Sequence, residues 1–219
     1  MRKDSVSPED IEQALEEHPR HFYPALPGRS NHLEAAVMIP LRWRADLETV
    51  MMLRPVEMRH HGGEVCFPGG QVEASDGSHL AAALRETREE LGITPVKILG
   101  TLSSIPLYTS DYRITPVVCE INDDVMSPCA SEVARVLTLN ITQLFARPCI
   151  DAFEYDIGAG VKLSPVFEVE GETMFGATAY ALLELLHILS RLAAVPVPPL
   201  RATGYKWDTK RRRPVVAHG

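Results

Sequence analysis

Three glutamates, Glu86, Glu89 and Glu90, stand three and four residues apart, with Arg85 just before them and Gly92 just after. On a helix, which turns about 100° per residue, those offsets bring the carboxylates to one side, and Leu80, Leu84, Thr87 and Leu91 fall roughly on the other. Like charges so spaced cost a few tenths of a kcal/mol per pair and need an offset. A divalent cation supplies one. Carboxylate oxygens suit Mg²⁺ or Mn²⁺, and Mg²⁺ binds through one or two carboxylates plus substrate phosphates and waters. Glu86, Glu89 and Glu90 are therefore the expected metal ligands, and a phosphorylated compound the expected substrate. Arg85, four residues before Glu89, is placed to orient a carboxylate by a charge-assisted hydrogen bond. Gly69 and Gly70 let the backbone pass close to the cation. A solvated acidic helix face is the plain alternative for any Glu-Glu pair taken alone.

The wider spacing adds to this. Gly70, five residues, Asp76, a helical spacer and then Arg85-Glu86-Thr87-Arg88-Glu89-Glu90-Leu91-Gly92-Ile93 resembles the Nudix box. Two positions depart from that pattern: Asp76 stands where Glu is usual, with eight residues before Arg85 instead of seven, and Thr87 replaces an aliphatic residue. Upstream, Arg54, Arg59, Gly63 and Phe67-Pro68-Gly69-Gly70 match the arrangement typical of the coenzyme A diphosphatase branch, which also tends to have Asp with the longer spacer. Pro55 and Met52 depart from that branch, where Ser or Ala and Thr are usual. Further likenesses at Tyr112 to Val118, Ser131-Glu132-Val133 and Phe175 to Ala179 extend the resemblance over roughly residues 34–195.

The resemblance implies an α+β chain with the Nudix fold, an α/β/α sandwich around a mixed central sheet. It implies a metal-dependent hydrolase that splits the diphosphate of coenzyme A or its acyl derivatives into 4′-phosphopantetheine, or the acyl form, and adenosine 3′,5′-bisphosphate. The expected catalytic residues are Glu86, Glu89, Arg85 and Glu132. Glu132 stands as the later acid that takes the water's proton, with Glu120 and Asp124 behind it. Arg54, Arg59, Gly63, Phe67, Gly69 and Gly70 are the expected substrate-binding residues. The two arginines are suited to bidentate contacts with phosphates of a 3′-phosphorylated ADP moiety. Surface pairing of these arginines with Glu57 or Glu64 is the alternative for each. Two other readings stay open: a Nudix diphosphatase acting on ADP-ribose or NADH, and a Nudix-like domain that binds nucleotide without catalysis.

Around this constellation the chain divides into an N-terminal helix and linker (1–33), a central domain (34–195) and a Pro-rich, basic tail (196–219). Ser7-Pro8-Glu9-Asp10 is a helix start, with Ile11, Ala14 and Leu15 as its apolar stripe. The segments 35–41 and 49–53 read as strands joined through Arg44-Ala45-Asp46. A helix is expected over residues 78–91, strands over 96–105, 114–121 and 161–169, a helical turn at 141–145, and a helix over 177–194. The tail, with Lys210-Arg211-Arg212-Arg213, reads as solvated and partly disordered, with nucleic-acid binding or a nuclear address as the alternative for its basic run.

Composition sets the outer limits. The chain has 219 residues, 45% hydrophobic and 23% charged, enough for one core. Its formal net charge of −7 disfavours broad attraction to nucleic acid or an acidic membrane, so the expected partner is a small molecule, CoA or acyl-CoA, with the chain a monomer or homodimer. The cysteines, Cys66, Cys119, Cys129 and Cys149, form no close pair and read as buried thiols in a reducing compartment. The opening residues carry no signal-peptide core, and no stretch reaches the length of a membrane span, so a cytoplasmic location is expected.

Overall fold

The computed structural model describes residues 6–95, 97–122, 126–156 and 160–216. Helix α1 (Pro8–Glu17) opens with the expected capping box: Ser7 Oγ accepts from Asp10 N–H at 3.1 Å, and Ser7 N–H donates to Asp10 Oδ2 at 2.9 Å. Strands β1 (Leu33–Trp43) and β2 (Leu47–Leu53) form an antiparallel hairpin closed by an Arg44 N–H to Asp46 C=O bond of 3.0 Å. Strand β3 (Val65–Cys66) pairs with β2, and β4 (Gly69–Gln71) pairs with the start of β1. Helix α2 (His79–Leu91) follows, then β5 (Lys97–Thr101), β6 (Ile105–Pro106) and β7 (Tyr112–Glu120), with β5 and β6 both antiparallel to β7. Strand β7 runs parallel to β1, from Leu33↔Tyr112 to Leu41↔Glu120. Strand β8 (Arg135–Asn140) adds to the free side of β2 and leads into the short helix α3 (Ile141–Leu144).

Both faces of this mixed sheet are covered, which is why β1 reads as a continuous apolar run instead of an alternating one. Ala36 and Met38 face α2 and pack with Ala82, Ala83 and Leu91. Their neighbours Ile39 and Leu41 face the other way, into a cluster that includes Ile11 and Leu15 of α1 and Leu182, Leu185 and Leu189 of α4 (Gly176–Ala193). The result is the expected α/β/α sandwich. Glu184 of α4 ties two distant segments to this layer, accepting from Ser103 Oγ at 2.6 Å and meeting His18 Nε2 at 2.9 Å.

A second sheet lies beyond the expected layers. Strands β9 (Ile150–Asp156) and β10 (Val161–Val169) are antiparallel, β11 (Glu172–Met174) joins β10, and β12 (Leu200–Asp208) runs parallel to β9 before turning back as β13 (Arg213–Val216). The C-terminal segment is thus a hairpin on a sheet, which corrects the expectation of a solvated, partly disordered tail. Its aromatic residues account for the difference. Trp207 packs against Phe153 and Phe175 at ring separations of 5.6 and 6.1 Å, anchoring a strand whose basic neighbours point outward. Among the described residues, no helix is long and apolar enough to cross a membrane.

Candidate active site

Helix α2 carries the glutamates, and its two ends fix it. Ser78 Oγ accepts from Ala81 N–H at 3.1 Å, and Gly92 closes the helix with its N–H on Arg88 C=O at 2.9 Å. The buried face is Ala82, Ala83, Thr87, Glu90 and Leu91. Leu80, expected on that face, is 36% exposed instead, because the two small alanines let the helix lie closely on β1 along a different line. Thr87 is fully buried yet satisfied, donating to Ala83 C=O at 2.6 Å, so the hydroxyl costs the helix little where an aliphatic residue is usual.

This rotation gives the three carboxylates different surroundings. Their side chains are 2% (Glu90), 16% (Glu86) and 58% (Glu89) exposed. Glu90 Oε2 accepts from Gly69 N–H at 2.8 Å, and Oε1 lies 3.7 Å from Arg54 Nη1. Burial pushes the Glu90 carboxyl up to about 8, with the Gly69 amide opposing and the Glu86 charge adding to the rise. Burial also raises Glu86, against the pull of Arg85, which donates to Glu86 Oε1 at 2.8 Å. Glu89 faces outward and shares the same Arg85 Nη1 at 3.2 Å.

Arg85 is the hub of this network. Its Nε and Nη2 grip Asp76 Oδ1 and Oδ2 at 2.9 and 3.0 Å, and Nη2 also reaches Gln71 C=O at 3.2 Å. Hydrogen bonding from Arg85 holds the Asp76 carboxyl below the usual carboxylate range. Asp76 sits in a tight turn, accepting from Glu73 N–H at 2.8 Å and donating its own N–H to Glu73 C=O at 3.0 Å. The longer spacer therefore ends in a shorter acid held where the arginine can reach both of its oxygens.

The Gly69-Gly70 turn threads between β1 and α2. Gly69 has φ +151°, and a Cβ there would run into Ala36 C=O and Val37 Cα. A Cβ on Gly70 would collide with the Glu86 carboxylate. Phe67, expected among the substrate-binding residues, is buried in the core just before this turn.

The preceding loop brings only some of its expected groups to the site. Arg54 points at Glu90, and among the described residues it makes no ion pair with Glu57 or Glu64 and its buried Nε has no hydrogen-bond partner. Cys66 lies in the fields of both Arg54 and Glu90; burial pushes its thiol up to about 12, so it stays protonated. Arg59 is exposed and makes no ion pair among the described residues. Gly63 takes φ +68° in a turn beside it. His61 Nδ1 meets Glu64 Oε2 at 2.9 Å.

Glu132 is half-buried, and its charge acts on both Glu86 and Glu90. The device that brings it there was not visible in the sequence: Ser127 N–H and Cys129 N–H donate to Leu91 and Glu90 C=O at 2.9 and 2.8 Å, tying this loop to the last turn of α2. Glu120 aligns with Leu41, five residues along β1 from the Ala36 that pairs with Gly70, so it stands away from the cluster. Asp124 lies outside the described residues.

Among the described residues, no three His, Cys, Asp or Glu side chains converge into a preassembled metal cage. The donor set nonetheless suits a hard divalent cation. Among the described residues, Glu86 Oε2 accepts no hydrogen bond and Glu90 Oε1 has only the long Arg54 contact, so each of these i,i+4 glutamates offers an oxygen. Their mutual repulsion, with Glu132 added, favours a cation bound partly through substrate phosphates.

The family model described as NUDIX domain matches residues 32–154. A relative named as an uncharacterised Nudix hydrolase, NudL, from Escherichia coli O7:K1 (strain IAI39 / ExPEC) is 40% identical over 116 residues, covering 52% of this chain and 60% of the relative. NudL from Escherichia coli K12 is 39% identical over the same length and coverage. The chain thus spans about 60% of the length of the curated relatives it matches. A Nudix hydrolase structure from Nitrosomonas europaea aligns with a TM-score of 0.47 at 14% identity, covering 86% of this chain and 85% of that one.

Proposed function

The chain belongs to the NUDIX domain family, and from that premise we propose that it hydrolyses the diphosphate of coenzyme A or an acyl-CoA, using Mg²⁺ or Mn²⁺. The observation that carries the substrate reading is the approach of Arg54 to Glu90: the first arginine of the Arg54 to Gly70 loop lies beside a box glutamate, where a phosphate bridging cation and arginine would bind. Residues 34–195 are the proposed catalytic domain.

Glu86 and Glu90 would hold the cation, whose chemistry when bound would be neutralisation of phosphate charge. Arg85, locked by Asp76, fixes the Glu86 carboxylate. Glu89, on the same guanidinium and largely exposed, helps position Arg85. Glu132 takes the proton from the attacking water as the oxygen bonds to phosphorus and the bridging oxygen leaves with the other phosphate. Arg54 and the exposed Arg59 receive the remaining phosphates of the 3′-phosphorylated ADP moiety.

The test is a panel of CoA, acyl-CoAs, ADP-ribose, NADH and nucleoside triphosphates with Mg²⁺ or Mn²⁺, with products identified. Release of adenosine 3′,5′-bisphosphate from a CoA species at the highest kcat/KM is expected. Preference for ADP-ribose over every CoA species overturns the substrate claim and leaves a diphosphatase. Turnover of nothing, with nucleotide binding indifferent to metal, overturns both.

A further inference from the structure

The C-terminal hairpin lies outside the family match, yet it reaches the loop on which substrate recognition is proposed to rest. Arg213, the first residue of β13, is half-buried and donates through Nη2 to Gly62 C=O at 3.2 Å and through Nη1 to Gly63 C=O at 3.5 Å. One planar guanidinium thus spans two successive carbonyls, a task suited to its fixed fork of donors. It makes no ion pair with a carboxylate among the described residues.

The contact continues inward. Gly63 N–H donates to Arg54 C=O at 3.1 Å, and Arg54 N–H donates to Glu64 C=O at 3.1 Å, so the carbonyls held by Arg213 belong to the turn that sets the Arg54 backbone. Arg54 Nη1 then lies 3.7 Å from Glu90 Oε1. Gly63 adopts φ +68°, and a Cβ there would stand 3.2 Å from Val56 Cγ1 and 3.5 Å from Arg213 Nη2, so the glycine admits both the turn and the arginine. Apart from this, the outer part of the loop is held by short-range bonds, Met58 N–H to Pro55 C=O and Glu64 N–H to His61 C=O, both 3.2 Å. Val56, Arg59 and His60 on it are exposed.

We propose that Arg213 is a positioning residue for substrate binding: it braces the Gly62-Gly63 turn from the second sheet and so holds Arg54 and Arg59 in place for the phosphates. The proposal rests on the diphosphatase reading above. The brace acts on binding and leaves the Glu86 cluster intact, so its signature is a split between KM and kcat.

The test uses the full chain with Arg213→Ala and Arg213→Lys. Arg213→Ala is expected to raise KM for the best panel substrate about tenfold, with kcat held within about twofold. Amide hydrogen exchange over residues 54–64 should quicken while α2 keeps its protection. Arg213→Lys keeps the charge but cannot span both carbonyls, so it should resemble the alanine variant; its retained stem keeps the test open if Arg213→Ala does not fold. Unchanged KM and unchanged loop exchange would overturn the proposal. So would full recovery of KM by lysine, which would mark a charge attracting substrate and not a brace. If the wild type turns over no panel compound, the function reading fails, and the exchange measurement alone decides the brace.

Discussion

Arg85 and Asp76 are joined by two parallel hydrogen bonds, Nε to Oδ1 at 2.9 Å and Nη2 to Oδ2 at 3.0 Å, across nine residues of sequence. The third edge of the same guanidinium holds Glu86, so the turn at Asp76 sets the angle of a proposed metal ligand. Asp76→Asn keeps the shape and removes the charge and one acceptor. It should lower kcat about tenfold or more by loosening Glu86, with a melting temperature close to wild type. Steady-state kinetics beside a thermal melt checks this, and wild-type kcat would separate Asp76 from the site.

Gly69 and Gly70 are adjacent, but alanine should affect them differently. At Gly69 the new Cβ meets backbone, and the φ of +151° is unfavourable to any side chain, so Gly69→Ala should destabilise the fold by about 1–3 kcal/mol. At Gly70 the Cβ meets the end of a flexible glutamate, which can swing away. Gly70→Ala should therefore fold normally and lose metal affinity and turnover. Denaturant melts and metal titrations on both variants distinguish the cases; equal loss of stability in both contradicts the reading.

Glu90 is a nearly sealed carboxylate with a long arginine contact, so a cation that neutralises it should stabilise the native state. Adding Mg²⁺ or Mn²⁺ at a hundred times its Kd should raise stability by about 2.7 kcal/mol, and chelation should reverse the gain. Glu90→Gln should remove most of that metal-linked gain without lowering the stability of the metal-free protein. A melt that ignores metal in the wild type argues against the site.

Glu132 reaches the cluster through a loop pinned to Glu90 and Leu91 by backbone bonds. As the proposed base, Glu132→Gln should reduce kcat about a hundredfold with KM changed little. Glu89→Gln, on an exposed group, should cost less. Near-normal kcat in Glu132→Gln would pass the base role to a box glutamate.

Strands β1, β2, β5 and β7 and helix α2 were legible because their signals are local, among them apolar runs in β1 and β2 and a capped helix between Ser78 and Gly92, whereas β3, β4 and β8 were not. The carboxylates were legible as a group, but their division into buried Glu90, half-buried Glu86 and exposed Glu89 was not. That division depends on helix rotation, set by Ala82 and Ala83 against β1, where larger Leu80 had suggested another line. The burial of Phe67 was not legible, because a motif position does not say which way a side chain faces. In the second sheet only β10 was legible, as the strand expected over 161–169; elsewhere polar and basic residues hide the strand pattern. In β12, Tyr205 and Trp207 sit among Lys206, Arg201 and Asp208, and pairing with β9, some fifty residues earlier, decides the structure.

One measurement tests directly whether Glu86 belongs to the proposed machinery that splits a CoA diphosphate with a divalent cation. Wild type and Glu86→Gln should be compared with CoA and Mg²⁺ or Mn²⁺, following adenosine 3′,5′-bisphosphate, with a thermal melt as the folding control. Metal-dependent release by the wild type is expected, with a loss of about a thousandfold in a folded Glu86→Gln. Near-normal release by that folded variant, or release by the wild type that persists under chelation, would contradict it.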